Sequence, residues 1–124
     1  MERFQPSPGS VPRARMLVRS LHDDLPAGTQ GAVEQIVSEL SANAVEHART
    51  MFVVSISVAA IVRVEVADQS REPPRPQQPS PTSRSGRGLK LVDAFANRWG
   101  WEPTADGKVV WAEVDGGSWP GSPP

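Results

Sequence analysis

Several residue types that mark common functional classes are missing from this chain. Its 124 residues include no cysteine, which excludes a disulfide framework, a thiolate nucleophile and a cysteine-based metal site. The two histidines, His22 and His47, lie far apart in the sequence, so a histidine-rich zinc site is not expected. Because cysteine-free chains need no oxidising compartment, we expect a cytoplasmic protein.

An excess of charge of one sign is also lacking. The formal net charge is -1, which argues against a protein that binds nucleic acid or anionic membranes through bulk charge. The longest apolar run, MFVVSISVAAIV, is broken by serines and is too short to span a bilayer. The first ten residues, MERFQPSPGS, contain no apolar signal-peptide core. We therefore expect neither a nucleic acid nor a membrane as partner.

The length and the hydrophobic periodicity predict one domain over residues 1–117, followed by a disordered tail over 118–124. The predicted helices cover 11–24 and 29–48, with a third beginning near residue 88. The predicted strands cover 3–5, 51–58, 61–68, 99–102 and 108–114, and we expect two hairpins, one from 51–58 with 61–68 and one from 99–102 with 108–114. This order predicts a two-layer α/β sandwich, with a mixed, mostly antiparallel sheet and three helices on one face.

The segment ELSANAVEHA places polar side chains beside the apolar face of the second predicted helix. At about 100° per residue, Glu39, Asn43 and His47 recur along one edge of that face. Ser38 and Ser41 fall on the opposite side, which we expect to be solvated. The polar edge is either half-exposed, as on an ordinary amphipathic helix, or it lines a wet pocket, because buried polar groups are costly unless satisfied.

Three further features are each ambiguous alone. Asp68 ends a predicted strand in the run VADQS, where it either caps a turn or accepts hydrogen bonds from a ligand. The run SGRGLK begins the third helix, and its glycines serve either a plain turn or a phosphate at the helix N-terminus. The proline-rich loop before it contains arginines and is either a solvated loop or a lid over a polyphosphate. We expect residues 71–85 of this loop to be unordered without ligand.

Together these features describe a nucleotide site. An amide and a carboxylate on one helix can hold Mg²⁺, which prefers oxygen ligands and takes few from protein. Asp68 can accept from the exocyclic amine of adenine. The helix start over Gly86–Leu89 can receive phosphates, and the long loop can cover them.

Four segments carry a family resemblance: ELSANAVEHA, VADQS, SGRGLKLVDAFANRWG and GKVVWAEV, in this order. They resemble the ATP-binding boxes of the GHKL (Bergerat-fold) ATPases. The chain is similar to the small bacterial anti-sigma-factor serine/threonine kinases and their actinobacterial single-domain relatives. Its run PRARMLVRSL, near the N-terminus, also resembles that group. The resemblance covers roughly residues 3–114.

The resemblance implies a role for each matching residue. Asn43 would ligate Mg²⁺, Glu39 would be the catalytic base, and Asp68 would bind the adenine amine. His47 would support the helix box, although the residue pattern alone leaves a satisfied core histidine open. The residues expected around the phosphates are Gly86, Arg87, Gly88 and Leu89.

Two positions depart from the family pattern. The adenine box is often Asp-x-Gly, whereas Ser70 stands at its third position here and leaves the backbone less free. The family often has a threonine after Gly-Lys in the last strand, whereas Val109 stands here and has no hydroxyl to offer to adenine. By position, Ser70 and Val109 are still predicted to lie at the bound ATP, so both departures bear on its affinity rather than on the fold.

The resemblance implies an ATP- and Mg²⁺-dependent serine/threonine kinase that sequesters a sigma factor and phosphorylates an antagonist (anti-anti-sigma) protein. It also implies a homodimer. The alternative is a binding module of the same fold whose ATP binding is weak or lost. A third interpretation, an ATP hydrolase or a histidine-kinase-like catalytic fragment, is less favoured because the chain has no dimerisation helices that bear a phospho-accepting histidine.

Overall fold

The computed structural model describes residues 1–74 and 85–116. Its helices and strands begin and end close to the boundaries that the hydrophobic periodicity predicts. The elements are β1 (Glu2–Phe4), α1 (Ser10–Ser20), α2 (Gln30–Asn43), β2 (Phe52–Val58), β3 (Ile61–Asp68), α3 (Ser85–Phe95), β4 (Arg98–Pro103) and β5 (Lys108–Asp115). The predicted tail, 118–124, and most of the predicted lid, residues 75–84, lie outside the described residues.

The five strands form one sheet in the order β1-β2-β3-β5-β4. Each neighbouring pair is antiparallel, and two of the pairs are the predicted hairpins β2–β3 and β4–β5. Two pairings are non-local: β1 pairs with β2, which α1 and α2 separate along the chain, and β3 pairs with β5, which α3 and β4 separate. The predicted α/β sandwich is confirmed, but the sheet is wholly antiparallel rather than mixed.

Alternation along β3 shows which face of the sheet is buried. Val62, Val64 and Val66 are at most 1% exposed and belong to the core beneath the helices. Burial of each such side chain stabilises the fold by about 1.5 kcal/mol or more. Arg63 and Glu65 alternate with them and lie on the other face, which we call the open face. Asp68 continues the inward series at the end of the strand.

Helix α2 lies between two other helices, and this position corrects one expectation. It packs against both α1 and α3. Ser38 is 8% exposed and Ser41 is 0% exposed, so neither lies on a solvated face. The helical projection identified one apolar face, but α1 packs on the opposite side, where its Arg19 pairs with Glu34 of α2 at 3.0 Å. Small hydroxyl side chains allow this close packing, and Ser38 Oγ donates to the carbonyl of Glu34 at 2.8 Å.

Candidate functional site

A cavity of about 250 Å³ lies where the end of α2, the segment after β3 and the start of β5 meet. Its walls include Asn43, Glu46, His47, Arg49, Ser70 and Lys108. Pro73 and Pro74 also line it, and Pro74 is buried. The cavity is therefore formed by three segments that are distant in the sequence, and the antiparallel pairing of β3 with β5 brings two of them together.

Two polar atoms of the α2 stripe are buried without a partner. Within the described residues, Asn43 Oδ1 and His47 Nε2 are buried and accept or donate no hydrogen bond. Both residues line the cavity. Buried polar atoms are nearly always paired in proteins, so unpaired ones at a cavity wall indicate a ligand position. His47 therefore does not fit the alternative of a satisfied core histidine.

The chain reaches these positions through a change in helix geometry. After Asn43, α2 continues as a π-helical turn over Ala44–Ala48, and Arg49 closes it with its N–H donating to Ala44 O at 2.9 Å. Arg49 has a φ of 56°, in the left-handed region that non-glycine residues seldom adopt. Wide turns of this kind are frequent at functional sites. The turn presents Glu46, His47 and Arg49 together at the cavity.

Asp68 forms a buried ion pair with Lys108 beside the cavity. Lys108 Nζ lies 3.0 Å from Oδ1 and 3.0 Å from Oδ2 of the carboxylate. The two side chains are only 5% and 4% exposed. The backbone N–H of Ser70 donates to Oδ1 at 2.9 Å. Asp68 thus caps a turn, as one interpretation predicted, and also holds a cation at the cavity.

Gly107 permits this arrangement because two strands approach closely just before β5. A Cβ at this position would lie 2.0 Å from the carbonyl oxygen of Asp68 and 2.6 Å from the Cα of Gln69. Only glycine fits without a shift of the backbone. Gly107 therefore allows the chain before β5 to lie close to the end of β3, and the next residue, Lys108, lies beside Asp68.

The predicted catalytic base also lies on α2. Glu39 lies one turn before Asn43, is half-buried, and accepts a hydrogen bond from Gln35 Nε2 at 3.1 Å. It is not among the described residues that line the cavity. Its role as base stays a prediction.

The glycine box lies where the sequence predicted it. Helix α3 begins at Ser85, so Gly86, Arg87 and Gly88 fall in its first turn. Leu89 follows them and is buried, at 5% exposure. The predicted contacts of this turn with phosphates stay predictions.

Val109 is not among the described residues that line the cavity. It pairs with Ala67, and alternation along β5 puts it on the open face, on the same side as Trp111. Lys108 is the β5 residue on the cavity side. The prediction that the side chain at position 109 faces the adenine is therefore not supported by its position.

Lys108 is the site residue that the sequence analysis missed. The signal was available, because Val110, Ala112 and Val114 alternate inward along β5, and the same period places Lys108 inward. A lysine in an inward position is unusual enough to require a partner. The non-local pairing of β3 with β5 supplies that partner, Asp68.

The donors around the cavity fit Mg²⁺ bound together with a phosphate ligand. Asn43 Oδ1 is a free, buried oxygen acceptor, which is the ligand type Mg²⁺ takes from proteins. In the described part of the chain, no three histidine, aspartate or glutamate side chains gather as a metal cage. Mg²⁺ seldom needs such a cage, because it keeps waters and substrate phosphates as ligands.

The comparison with protein families matches these features. A family model described as a histidine kinase-like ATPase domain covers residues 4–114, nearly the whole chain. The chain therefore belongs to the histidine kinase-like ATPase domains, the GHKL-type family. Membership implies an ATP-binding protein with a regulatory role, and ATP is usually bound with Mg²⁺ in this family.

A comparison with curated proteins finds no match. Over the described ranges 1–74 and 85–116, no helix is both long enough and apolar enough to cross a membrane.

Proposed function

We propose that the protein is an ATP-dependent serine/threonine kinase of the anti-sigma type, acting in the cytoplasm. It would phosphorylate an antagonist protein and sequester a sigma factor, and would work as a homodimer. The observation that carries the nucleotide part is the pair of unpartnered buried atoms, Asn43 Oδ1 and His47 Nε2, on the wall of a cavity next to Asp68 and Lys108.

The residues have distinct roles in this proposal. Asn43 would hold Mg²⁺, which supplies charge neutralisation at the phosphates when bound. Asp68 would meet the adenine, and the first turn of α3 would receive the phosphates through its free N–H groups. His47 would contact the ligand from the π-helical turn.

Glu39 would accept the proton of the attacking hydroxyl. The serine or threonine oxygen of the antagonist forms a bond to the γ-phosphorus, the bond to the ADP oxygen breaks, and the hydroxyl proton passes to the Glu39 carboxylate. Phosphoryl transfer needs positioning and charge neutralisation more than covalent help, so one carboxylate suffices as base.

Calorimetric titration with ATP and Mg²⁺ tests the site. The wild-type protein should bind, and both Asn43→Ala and Asp68→Ala should abolish or strongly weaken binding. Ser41→Ala is the matched control, because Ser41 lies on the same helix and is fully buried but does not line the cavity within the described residues. Absence of binding by the wild type at millimolar ATP would overturn the proposal.

Transfer of labelled phosphate from ATP to a protein in an extract of the source cells tests the kinase activity. Glu39→Gln should abolish transfer while ATP binding is retained. Glu34→Gln is the matched control, since Glu34 lies on the same helix but accepts hydrogen bonds from Arg19 and Gln30. Equal transfer by wild type and Glu39→Gln would exclude the kinase mechanism.

One observation favours a second candidate, a sequestering module without catalysis. Asp68 already has Lys108 and the Ser70 N–H as partners, so an adenine amine must share this carboxylate. Ser70 also replaces the glycine that the family often has. If the wild type captures a sigma factor but binds no ATP, this second function replaces the first.

A further inference from the structure

The family resemblance gave Lys108 no role in ligand binding, yet Lys108 lines the cavity. It is 4% exposed, it lines the cavity, and its ammonium is fixed by both oxygens of Asp68. A charged amine at this depth is rare unless it is paired. Its pairing explains why it is tolerated, but not why the fold places it at a cavity wall.

The hydrogen-bonding capacity of the pair is not exhausted. An ionised carboxylate offers about four lone-pair sites and an ammonium offers three N–H donors. Oδ1 of Asp68 receives Lys108 and the Ser70 N–H, whereas Oδ2 receives Lys108 alone. Asp68 is the partner that the described residues provide for Lys108. One acceptor site on Oδ2 and at least one N–H of Lys108 therefore remain for a ligand.

Nζ of Lys108, which lines the cavity, and Oδ2 of Asp68 lie 3.0 Å apart, a spacing that suits two neighbouring groups on one edge of adenine. That edge carries a donor, the N6 amine, next to an acceptor, N1. Guanine carries the reverse order, an acceptor at O6 next to the N1–H donor. A carboxylate oxygen beside an ammonium therefore meets both groups of adenine in a single orientation.

We infer that Lys108 is a specificity-determining residue: its ammonium, oriented by Asp68, donates to N1 of adenine while Asp68 Oδ2 accepts from the N6 amine. The inference rests on the proposed ATP binding and assigns the base-reading role to the pair rather than to Asp68 alone. It also explains why Val109, which faces away, is not needed for base recognition.

The test changes the ligand, because a change at Lys108 leaves Asp68 as a buried unpaired charge. ATP, 1-deaza-ATP and 7-deaza-ATP are titrated by calorimetry into the wild-type protein with Mg²⁺. In 1-deaza-ATP a C–H replaces N1, while 7-deaza-ATP keeps N1 and the N6 amine and is the matched control. Loss of one hydrogen bond to a charged group should weaken 1-deaza-ATP by about tenfold or more. The affinity of 7-deaza-ATP should stay close to that of ATP.

The titrations separate the role of Lys108 from the proposed ATP binding. Equal affinities for ATP and 1-deaza-ATP overturn the role of Lys108 and leave the proposed function standing. No binding of ATP overturns the proposed function itself. Lys108→Met adds a second measurement: if it folds, it should bind ATP and 1-deaza-ATP equally, and a persistent preference for ATP would contradict the inference. GTP should bind more weakly than ATP to the wild type.

Discussion

The open face of the sheet and the cavity at the end of β3 both contain charged side chains, but these differ in their exposure to water and in whether the neighbouring polar atoms have partners. On the open face, Arg63 donates to Glu65 and to Glu113 at 2.8 Å each. Arg98 donates to Glu113 at 2.9 Å and also to Asp115. These side chains are 21–46% exposed, and each has a partner.

At the cavity the pattern is reversed. The Asp68–Lys108 pair is almost fully buried, and two neighbouring atoms, Asn43 Oδ1 and His47 Nε2, have no partner within the described residues. Exposed ion pairs contribute little to stability, whereas buried charges and unpaired buried atoms cost free energy. Because Asn43 and His47 line a cavity, a bound ligand can supply the hydrogen bonds that these atoms lack.

The largest expected effect comes from breaking the buried pair. Lys108→Met should lower the free energy of unfolding by about 3–5 kcal/mol, because it leaves the Asp68 carboxylate buried without a counter-charge. Urea denaturation measures this change. Arg98→Met, on the open face, should have a much smaller effect because water screens its pairs.

A double variant tests the cause of that loss. Lys108→Met with Asp68→Leu removes both charges and should recover most of the lost stability, since an apolar pair of similar volume is often as stable as a buried ion pair. If the double variant is as unstable as Lys108→Met alone, packing rather than charge accounts for the effect.

The next effect concerns the close approach beside the pair. Gly107→Ala should lower the free energy of unfolding by about 2–3 kcal/mol, because its Cβ would collide with the backbone of Asp68 and Gln69. Gly31→Ala on α2 is the control, since nothing lies within 4 Å of its Cβ. That change should raise stability by about 0.5–1 kcal/mol. Thermal unfolding of both variants measures the two changes in stability. Two changes of the same sign would contradict the steric argument.

A smaller effect separates two unpartnered atoms on the same helix. Ser41 Oγ is fully buried away from the cavity, so Ser41→Ala should raise stability by about 1 kcal/mol and leave ATP binding intact. Asn43→Ala should change stability by less than about 1 kcal/mol but remove ATP binding.

Thermal unfolding with and without ATP and Mg²⁺ reads both properties at once, because a ligand stabilises the folded state that binds it. Ser41→Ala should keep the ligand-induced rise in the unfolding temperature, and Asn43→Ala should lose it. A retained rise in Asn43→Ala would show that the unpartnered amide oxygen has no part in binding.

Local periodicity predicted most of the fold but not the arrangement of the site. The predicted bounds of β3, residues 61–68, agree with the structure, because period-2 alternation is strong there. Both hairpins were also predicted, since they join neighbouring segments. The pairing of β3 with β5 was not, because it depends on contacts between residues about 40 positions apart, such as Asp68 with Lys108.

The same limit explains the two local errors. Ser38 and Ser41 were expected in solvent because a single helical projection does not show that α1 covers this side of α2. Val109 was expected near adenine because the family pattern was transferred by position, without the direction of each side chain along β5. Asn43 and His47 line the cavity, as one of the two interpretations of the polar edge expected, whereas Glu39 is not among the described residues that line it.

The smallest expected effect lies on the open face and depends on pH. Hydrogen bonds from Arg98, and secondly from Arg63, hold the pKa of Glu113 below its ordinary value of 4.5. A carboxylate with a lowered folded-state pKa contributes stability above its unfolded pKa and loses it as the pH falls through the folded-state pKa. Urea denaturation from about pH 5 downward should therefore show a shallower loss of stability in Glu113→Gln than in the wild type. The wild type measured over the same pH range gives the reference slope. If Glu113→Gln also keeps that slope, the paired charges of the open face contribute nothing measurable, and the contrast with the buried pair at the cavity becomes sharper still.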